Sequence, residues 1–441
     1  MNRPFVWGVA TSAYQIEGAR NEDGKGDSIW DRFSDLGRLR DPGDVACDHY
    51  HRLEEDLELL AGLGVDAYRF SVAWTRVIPD GDGQVNTAGL DFYKRLVDGL
   101  LERGIAPYLT LYHWDLPQAL QDKGGWASRS TVDAFARYAA LTAESLGDDV
   151  ASWITHNEPW VSTFLGHLEG IFAPGLSDWA TALTAGHNML LSHGRATRAI
   201  REVLPGAQVG ITLDCRPSRP ADESSVEAER HFDGFRNRWF FDPVFGRGYP
   251  EDMVESYTDL GRLDPGLVGE GDMDEIAVPI EFLGVNYYTT LPIGQDQSES
   301  DYTEGPVGQD APTGFTEMGW RSDPDGLRDF LQRVADDYGP PSILVTENGA
   351  SYSDGPGDDG RVRDDRRIEY VSEHVEATLA ARGRGVPVDG YFLWSFLDNL
   401  EWLEGFSQRF GIVWVDQGTG QRIPKDSYYW YRDRISRGSG G

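Results

Sequence analysis

Two cysteines in 441 residues are too few to hold a fold together by disulfides. Neither Cys47 nor Cys215 has a partner at the spacing of a zinc site. Basic residues are scarce as well: 40 Lys and Arg face 73 Asp and Glu, for a formal charge of −33. A chain this acidic repels nucleic acid and anionic lipid and discourages a phosphorylated substrate. The charge is compatible with a neutral small-molecule substrate and also with salt adaptation, and neither nucleic acid nor membrane is an expected partner. Nine histidines without metal-type spacing give no reason to expect a metal, and no motif calls for a cofactor. No apolar run approaches a membrane span, and the opening MNRPFVWGVATSAYQ has no apolar stretch of leader-peptide length, so a reducing, cytoplasmic setting is expected. Nothing in the pattern speaks to oligomeric state.

What the chain does have is enough apolar material for a sizeable core: hydrophobic residues make up 40%, with 14 Trp and 19 Tyr. Eight short apolar runs recur, at 5–9, 66–72, 105–111, 152–157, 208–214, 280–288, 342–348 and 388–395. Segments of helical spacing lie between them, such as LEEDLELLAGLG (53–64), LDFYKRLVDGLLERG (90–104) and TVDAFARYAALTAESLG (131–147). Leu53, Leu57 and Leu60 share one face, and so do Leu96, Leu100 and the aliphatic stem of Arg103. Strands alternating with helices indicate a parallel sheet, and eight such units match a single closed (β/α)8 TIM barrel with elaborated loops at its carboxyl-terminal face. No composition shift marks a second domain, so one catalytic domain is expected over 1–435, followed by a flexible tail at 436–441. The polar, turn-rich stretch 292–326 reads as an elaborated loop after the sixth strand.

Chemistry in such a barrel sits at the carboxyl ends of the strands. Those positions isolate Gln15, Arg69, His113-Trp114-Asp115, Asn157-Glu158, Asn286 with Tyr288, Glu347-Asn348 and Trp394. Two of them end in an acid: THNEP at the fourth strand and VTENG at the seventh. Either motif alone is a common turn or helix start, His113 alone a core histidine, Arg69 alone an ion pair, Trp114, Trp394 and Trp402 alone packing. Together, two carboxyls 189 positions apart in sequence but facing one barrel mouth are the minimal equipment for glycoside hydrolysis: a proton donor to the leaving oxygen, and a nucleophile or base. Pro159 is expected to hold Glu158 in extended geometry, with its carboxyl toward the axis.

The motifs FVWGVATSAYQIEGA, RFSVAWTR, LYHWDLP, THNEP, NYY, VTENG and WSFLDNLEW occur in an order that resembles glycoside hydrolase family 1, the retaining β-glucosidase family, over nearly the whole chain. The resemblance implies that Glu158 is the acid/base and Glu347 the nucleophile. It implies a sugar pocket of Gln15, His113, Trp114, Asn157, Glu401 and Trp402, with Trp394 as its aromatic floor and Phe410 near the 6-position. Arg69 and Tyr288 match groups that contact the nucleophile, and Asn286 lies near the same cluster. The sequence departs from the family's usual pattern at His156 and Thr75, neither of which is expected to touch a catalytic group.

The implied activity is hydrolysis of terminal non-reducing β-D-glucosyl residues, with β-galactosyl and β-fucosyl residues open, from unphosphorylated O-glycosides and cello-oligosaccharides such as arise in cellulose degradation. Glu401 as a carboxylate would take the hydroxyls on carbons 4 and 6 and repel a 6-phosphate. Arg69 and Tyr288 should let Glu347 ionise readily, while the nearby negative charge keeps Glu158 protonated. For retention the two carboxyls should lie about 5–5.5 Å apart. A non-catalytic sugar-binding barrel would be expected to lack one of the two acids. An aldolase or isomerase on the same fold would commonly need a Schiff-base lysine or a metal, and no lysine stands at a strand end. Transglycosylation, in which an alcohol or sugar replaces water on the same intermediate, stays open. The leaving-group pocket falls to the loops 170–180, 215–235 and 292–326, which carry no decisive signal.

Overall fold

The computed structural model describes residues 4–295, 308 and 311–438. Eight parallel strands close into one barrel: β1 (Val6–Ala10), β2 (Ala67–Ser71), β3 (Ala106–Tyr112), β4 (Ser152–Asn157), β5 (Val209–Cys215), β6 (Phe282–Tyr287), β7 (Ile343–Asn348) and β8 (Val388–Trp394). Each strand pairs with its sequence neighbours, and β8 returns to β1 with Val6 opposite Gly390 and Ala10 opposite Trp394. All eight expected runs are strands, with ends moved by at most two residues.

Both faces of these strands are covered, which explains their near-continuous apolar composition. Inward, Ala10, Ala67, Ile154, Phe282, Leu344 and Phe392 fill the barrel below the mouth, so the barrel is a packed core rather than a pore. Outward, Tyr68, Leu109, Trp153, Ile211, Val285, Val345 and Tyr391 join the larger core under the helices. Those helices include α1 (Leu53–Leu63), α2 (Thr87–Glu102), α3 (Arg129–Leu146) and α4 (Trp179–Val203). Leu57, Leu60 and Leu100 are fully buried, as their spacing requires, while Arg103 reaches back to Glu54 and Glu58 on α1. Gly64 closes α1 at φ 74°, a left-handed turn that costs a glycine little.

The loop after β6 does more than the sequence suggests. Leu291–Ile293 pairs in parallel with Ser218–Pro220 from the loop after β5, tying two of the mouth loops together. Residues 296–307, 309 and 310 of the expected long loop lie outside the described residues. The chain then enters α5 (Pro324–Tyr338), whose start is fixed by Pro324 and by Asp323, which accepts from the Gly326 amide at 3.0 Å. Two further helices, α6 (Asp365–Gly383) and α7 (Asp426–Ser436), complete the ring. The last helix includes Ser436, and residues 439–441 of the expected tail lie outside the described residues. No helix among the described residues is long and apolar enough to cross a membrane.

Candidate active site

Strand register brings the polar groups to one level. Asp214 on β5 stands opposite Asn286 on β6, and Asn286 opposite Glu347 on β7. On the other side, Arg69 on β2 is fully buried beneath the mouth. Its Nη1 donates to Glu347 Oε1 at 2.5 Å and its Nη2 to Asn157 Oδ1 at 2.6 Å. Tyr288 donates its hydroxyl to Glu347 Oε2 at 2.8 Å, so both oxygens of Glu347 are engaged. Asn286 Nδ2 donates to Glu158 Oε1 at 2.6 Å and to Asn157 Oδ1 at 3.1 Å, while its own Oδ1 accepts from Thr346. Asn157 also meets His113 Nε2 at 3.2 Å. The two acids thus belong to one hydrogen-bonded group drawn from β2, β4, β6 and β7.

Glu158 is not extended. Its φ is +50°, in the left-handed region that a side chain rarely enters. Pro159 does exclude the right-handed helical conformation before it, but the choice between the remaining regions is made by contacts far along the chain. The Glu158 amide donates to Thr212 O at 2.9 Å, and the carboxyl is caught by Asn286. Backbone strain of this kind costs on the order of 1–3 kcal/mol and persists where the surroundings over-determine it. Trp114 (φ +76°) and Trp402 (φ +46°) share it, and both line the same cavity. The glycine of VTENG has a separate reason. A Cβ on Gly349 would lie 1.6 Å from the carbonyl oxygen of Trp394, so only glycine lets the end of β7 pass against the end of β8.

Burial dominates the electrostatics. Glu158 is held well above the usual carboxylate range, first by burial, then by the negative charges of Asp214 and Glu347. Glu347 is raised as well, because burial outweighs the opposing pull of Arg69 and Tyr288. The expected pull of Arg69 and Tyr288 toward the carboxylate is present, but burial is the larger effect, so Glu347 ionises less readily than expected. Of the two, the proton resides on Glu158: Glu347 accepts from a guanidinium and a phenol, Glu158 from one neutral amide. His113 is pushed well below its ordinary value by burial and then by Arg69, so its imidazole is neutral. Burial, then Glu347 and Glu404, push Glu401 up to about 8.

A cavity of about 230 Å³ opens at this mouth. Glu158, Glu347, Tyr288, His113, Trp114, Trp394, Glu401, Trp402 and Phe410 all line it. Gln15, Arg69, Asn157 and Asn286 are fully buried behind that lining. Gln15 donates to Leu400 O at 2.9 Å and Asn399 Oδ1 at 3.1 Å, and approaches Glu401 Oε2 at 3.5 Å. Trp402 is the hub of the aromatic wall. Its ring lies 4.5 Å from those of Trp30 and Trp114, and stacks with Tyr14 at 6.1 Å and His113 at 6.1 Å. His156 turns away from the mouth to Ser192 and Phe135, and Thr75 is buried elsewhere.

The other half of the cavity was not singled out in the sequence. Asp214, Arg216 and Arg236 line it with Trp160, Phe172 and Trp320. Asp214 is bonded to Arg236, whose guanidinium lies 3.3 Å over the Trp160 ring. The signal was available, since Asp214 ends the expected fifth strand, while Glu158 follows the fourth and Glu347 is the last residue but one of the seventh. All three loops expected to frame a leaving group contribute: Phe172, Arg216 and Trp320 come from one each.

A family model described as Glycosyl hydrolase family 1 matches residues 1–439. Beta-glucosidase A of Acetivibrio thermocellus is 47% identical, over 98% of this chain and 97% of that protein. A bifunctional beta-D-glucosidase/beta-D-fucosidase of Bifidobacterium breve is 44% identical, over 98% and 97% respectively. The solved beta-glucosidase of Thermotoga maritima in complex with noeuromycin superposes with a TM-score of 0.93 at 44% identity, covering 99% of both chains.

Proposed function

The chain belongs to glycosyl hydrolase family 1, and we propose that it acts as a retaining β-glucosidase with Glu347 as nucleophile and Glu158 as acid and base. One observation carries the assignment of roles. Two carboxyls share one cavity in unequal company, Glu347 gripped by a guanidinium and a phenol, Glu158 by an amide alone. In the first step a Glu347 oxygen bonds to the anomeric carbon, the glycosidic C–O bond breaks, and the leaving oxygen takes the proton of Glu158. Ester formation removes the charge of Glu347, so Glu158 is then stable as a carboxylate. Glu158 takes a proton from water, the water oxygen bonds to the anomeric carbon, and Glu347 departs. Two inversions give net retention.

Asn157 is oriented by Arg69 and Asn286, which suits it to hold the sugar's 2-hydroxyl, a contact that strengthens in the oxocarbenium-like transition state. Gln15, His113, Glu401 and Trp402 would hold the remaining hydroxyls and ring face, over Trp394 and beside Phe410. Substrates of this site are β-glucosides and short cello-oligosaccharides, with β-fucosides as a further class. A single catalytic unit over 1–435 and a reducing setting, which suits the unpaired buried thiols of Cys47 and Cys215, complete the reading.

The test is the anomer first released from 4-nitrophenyl β-D-glucoside, followed by proton NMR. β-Glucose appearing before mutarotation supports double displacement; α-glucose as the first product overturns it. The pH profile of kcat/KM offers a second check. Glu347 must be ionised, so activity falls as pH drops through its pKa; Glu158 must be protonated, so activity falls as pH rises through its pKa. The negative charge of Asp214 raises Glu158. Asp214→Asn removes that charge, which favours the Glu158 carboxylate. The basic limb is expected to move to lower pH; an unmoved or raised limb would count against this coupling.

A further inference from the structure

Arg216 is the unexplained charge of the cavity. It stands just past β5, with its backbone clamped by Asn237: the Arg216 amide donates to Asn237 Oδ1 at 3.1 Å, and Asn237 Nδ2 donates to Arg216 O at 3.1 Å. The residue is 8% exposed, yet among the described residues its Nε and Nη1 have no hydrogen-bond partner. Its guanidinium lies 5.1 Å from the centre of the Trp320 ring. A buried cation with unmet donors is costly unless something completes it.

The carboxyls that share the cavity are already committed. Glu347 is held by Arg69, Glu158 by Asn286, Glu401 faces Gln15, and Asp214 is bonded to Arg236. Arg216 borders the cavity beside Trp320, and Trp160, under the neighbouring Arg236, and Phe172 line the same cavity. Flat aromatic walls with a fixed guanidinium among them suit a planar ligand ending in an anion, since guanidinium matches carboxylate in shape as well as charge.

We propose that Arg216 is a specificity-determining residue that selects β-glucosides whose aromatic leaving group carries a carboxylate. This rests on the β-glucosidase reading, with the sugar at the Glu158–Glu347 end and the leaving group at the Trp320 end. The acidic surface of the whole chain slows the approach of an anion, but the recognition is a buried contact made after entry, at short range, where salt screens the distant surface charges.

The experiment compares 4-carboxyphenyl and 4-carbamoylphenyl β-D-glucoside, at a pH where the benzoate is ionised, in the wild-type enzyme, Arg216→Gln and Arg216→Lys. Comparing the two substrates across enzymes cancels their different intrinsic reactivity. Passing to Arg216→Gln should cost the carboxylate substrate about tenfold more in kcat/KM than the amide. The loss should lie mainly in KM, and Arg216→Lys should recover part of it. Equal losses on both substrates would overturn the role. A measurement on the wild type alone guards against a variant that fails to fold. Free 4-hydroxybenzoate should inhibit competitively at a concentration about fivefold or more below that of 4-hydroxybenzamide, and equal inhibition would overturn the proposal. Cleavage of both glucosides with no preference removes only the role of Arg216, whereas cleavage of neither removes the β-glucosidase reading beneath it.

Discussion

Glu347→Ala is expected to lower kcat on 4-nitrophenyl β-D-glucoside by roughly 10⁴-fold or more, since it removes the group that forms the covalent intermediate. The loss comes with a distinctive recovery. Truncation opens a space beside Arg69 and Tyr288, whose donors then face a site for a small anion. Azide entering there would attack the anomeric carbon from the face Glu347 used, in one displacement, and the product would be the α-glucosyl azide. Arg69 is fully buried, so loss of its partner also strands a charge, at a cost of about 3–5 kcal/mol. Glu347→Gln keeps the volume and an acceptor for Arg69, and separates folding from chemistry. It should remain folded, as judged by thermal melting, and remain inactive. Near-normal turnover in either variant would remove Glu347 from its role.

Glu158→Ala should divide substrates by their leaving groups. An alkyl glucoside or cellobiose carries a poor leaving group, an alcohol or a second glucose, whose oxygen must be protonated as the bond breaks, so kcat/KM should fall by about 10²–10⁴-fold, the usual range for a positioned general acid. 2,4-Dinitrophenyl β-D-glucoside needs almost no protonation and should keep most of its kcat/KM. Its kcat should nevertheless fall, because the second step has lost its base and the glycosyl-enzyme accumulates. Azide would relieve that block by attacking the ester from the opposite face to Glu347, giving the β-glucosyl azide. The two variants are therefore told apart by the anomer they make with the same anion. The basic limb of the pH profile should also vanish, being the limb assigned to Glu158. Equal losses of kcat/KM on good and poor leaving groups would show that Glu158 is not the acid.

The barrel was readable because its strands are covered on both faces, which leaves continuous apolar runs such as Phe282–Tyr287 and Ile343–Asn348. The two acids were readable because each sits at the end of such a run. The backbone of Glu158 was not. A local rule about the residue before proline pointed to extended geometry, and a contact with Thr212, 54 positions on, settled a left-handed one instead. Protonation was legible only in part. The partners of Glu347 and Glu158 could be named from motifs, but depth of burial, which dominates both and lifts Glu401 to about 8, belongs to the assembled fold. Asp214 and Arg216 were passed over for a different reason. They follow the same strand-end rule as the acids but fall in no motif of the resemblance, and only the cavity shows that they share its wall.

The indole of Trp402 touches rings from residues 14, 30, 113, 114 and 172, and β1 finds its second neighbour only in β8. The consequence concerns biosynthesis. A ribosome delivers the amino-terminal half of this chain well before the segment that closes the barrel and its cavity, so the early strands must wait with an open sheet edge, the state most exposed to aggregation. The cavity is completed only late, and a polypeptide that stopped short of Trp402 would lack the ring on which its aromatic wall converges.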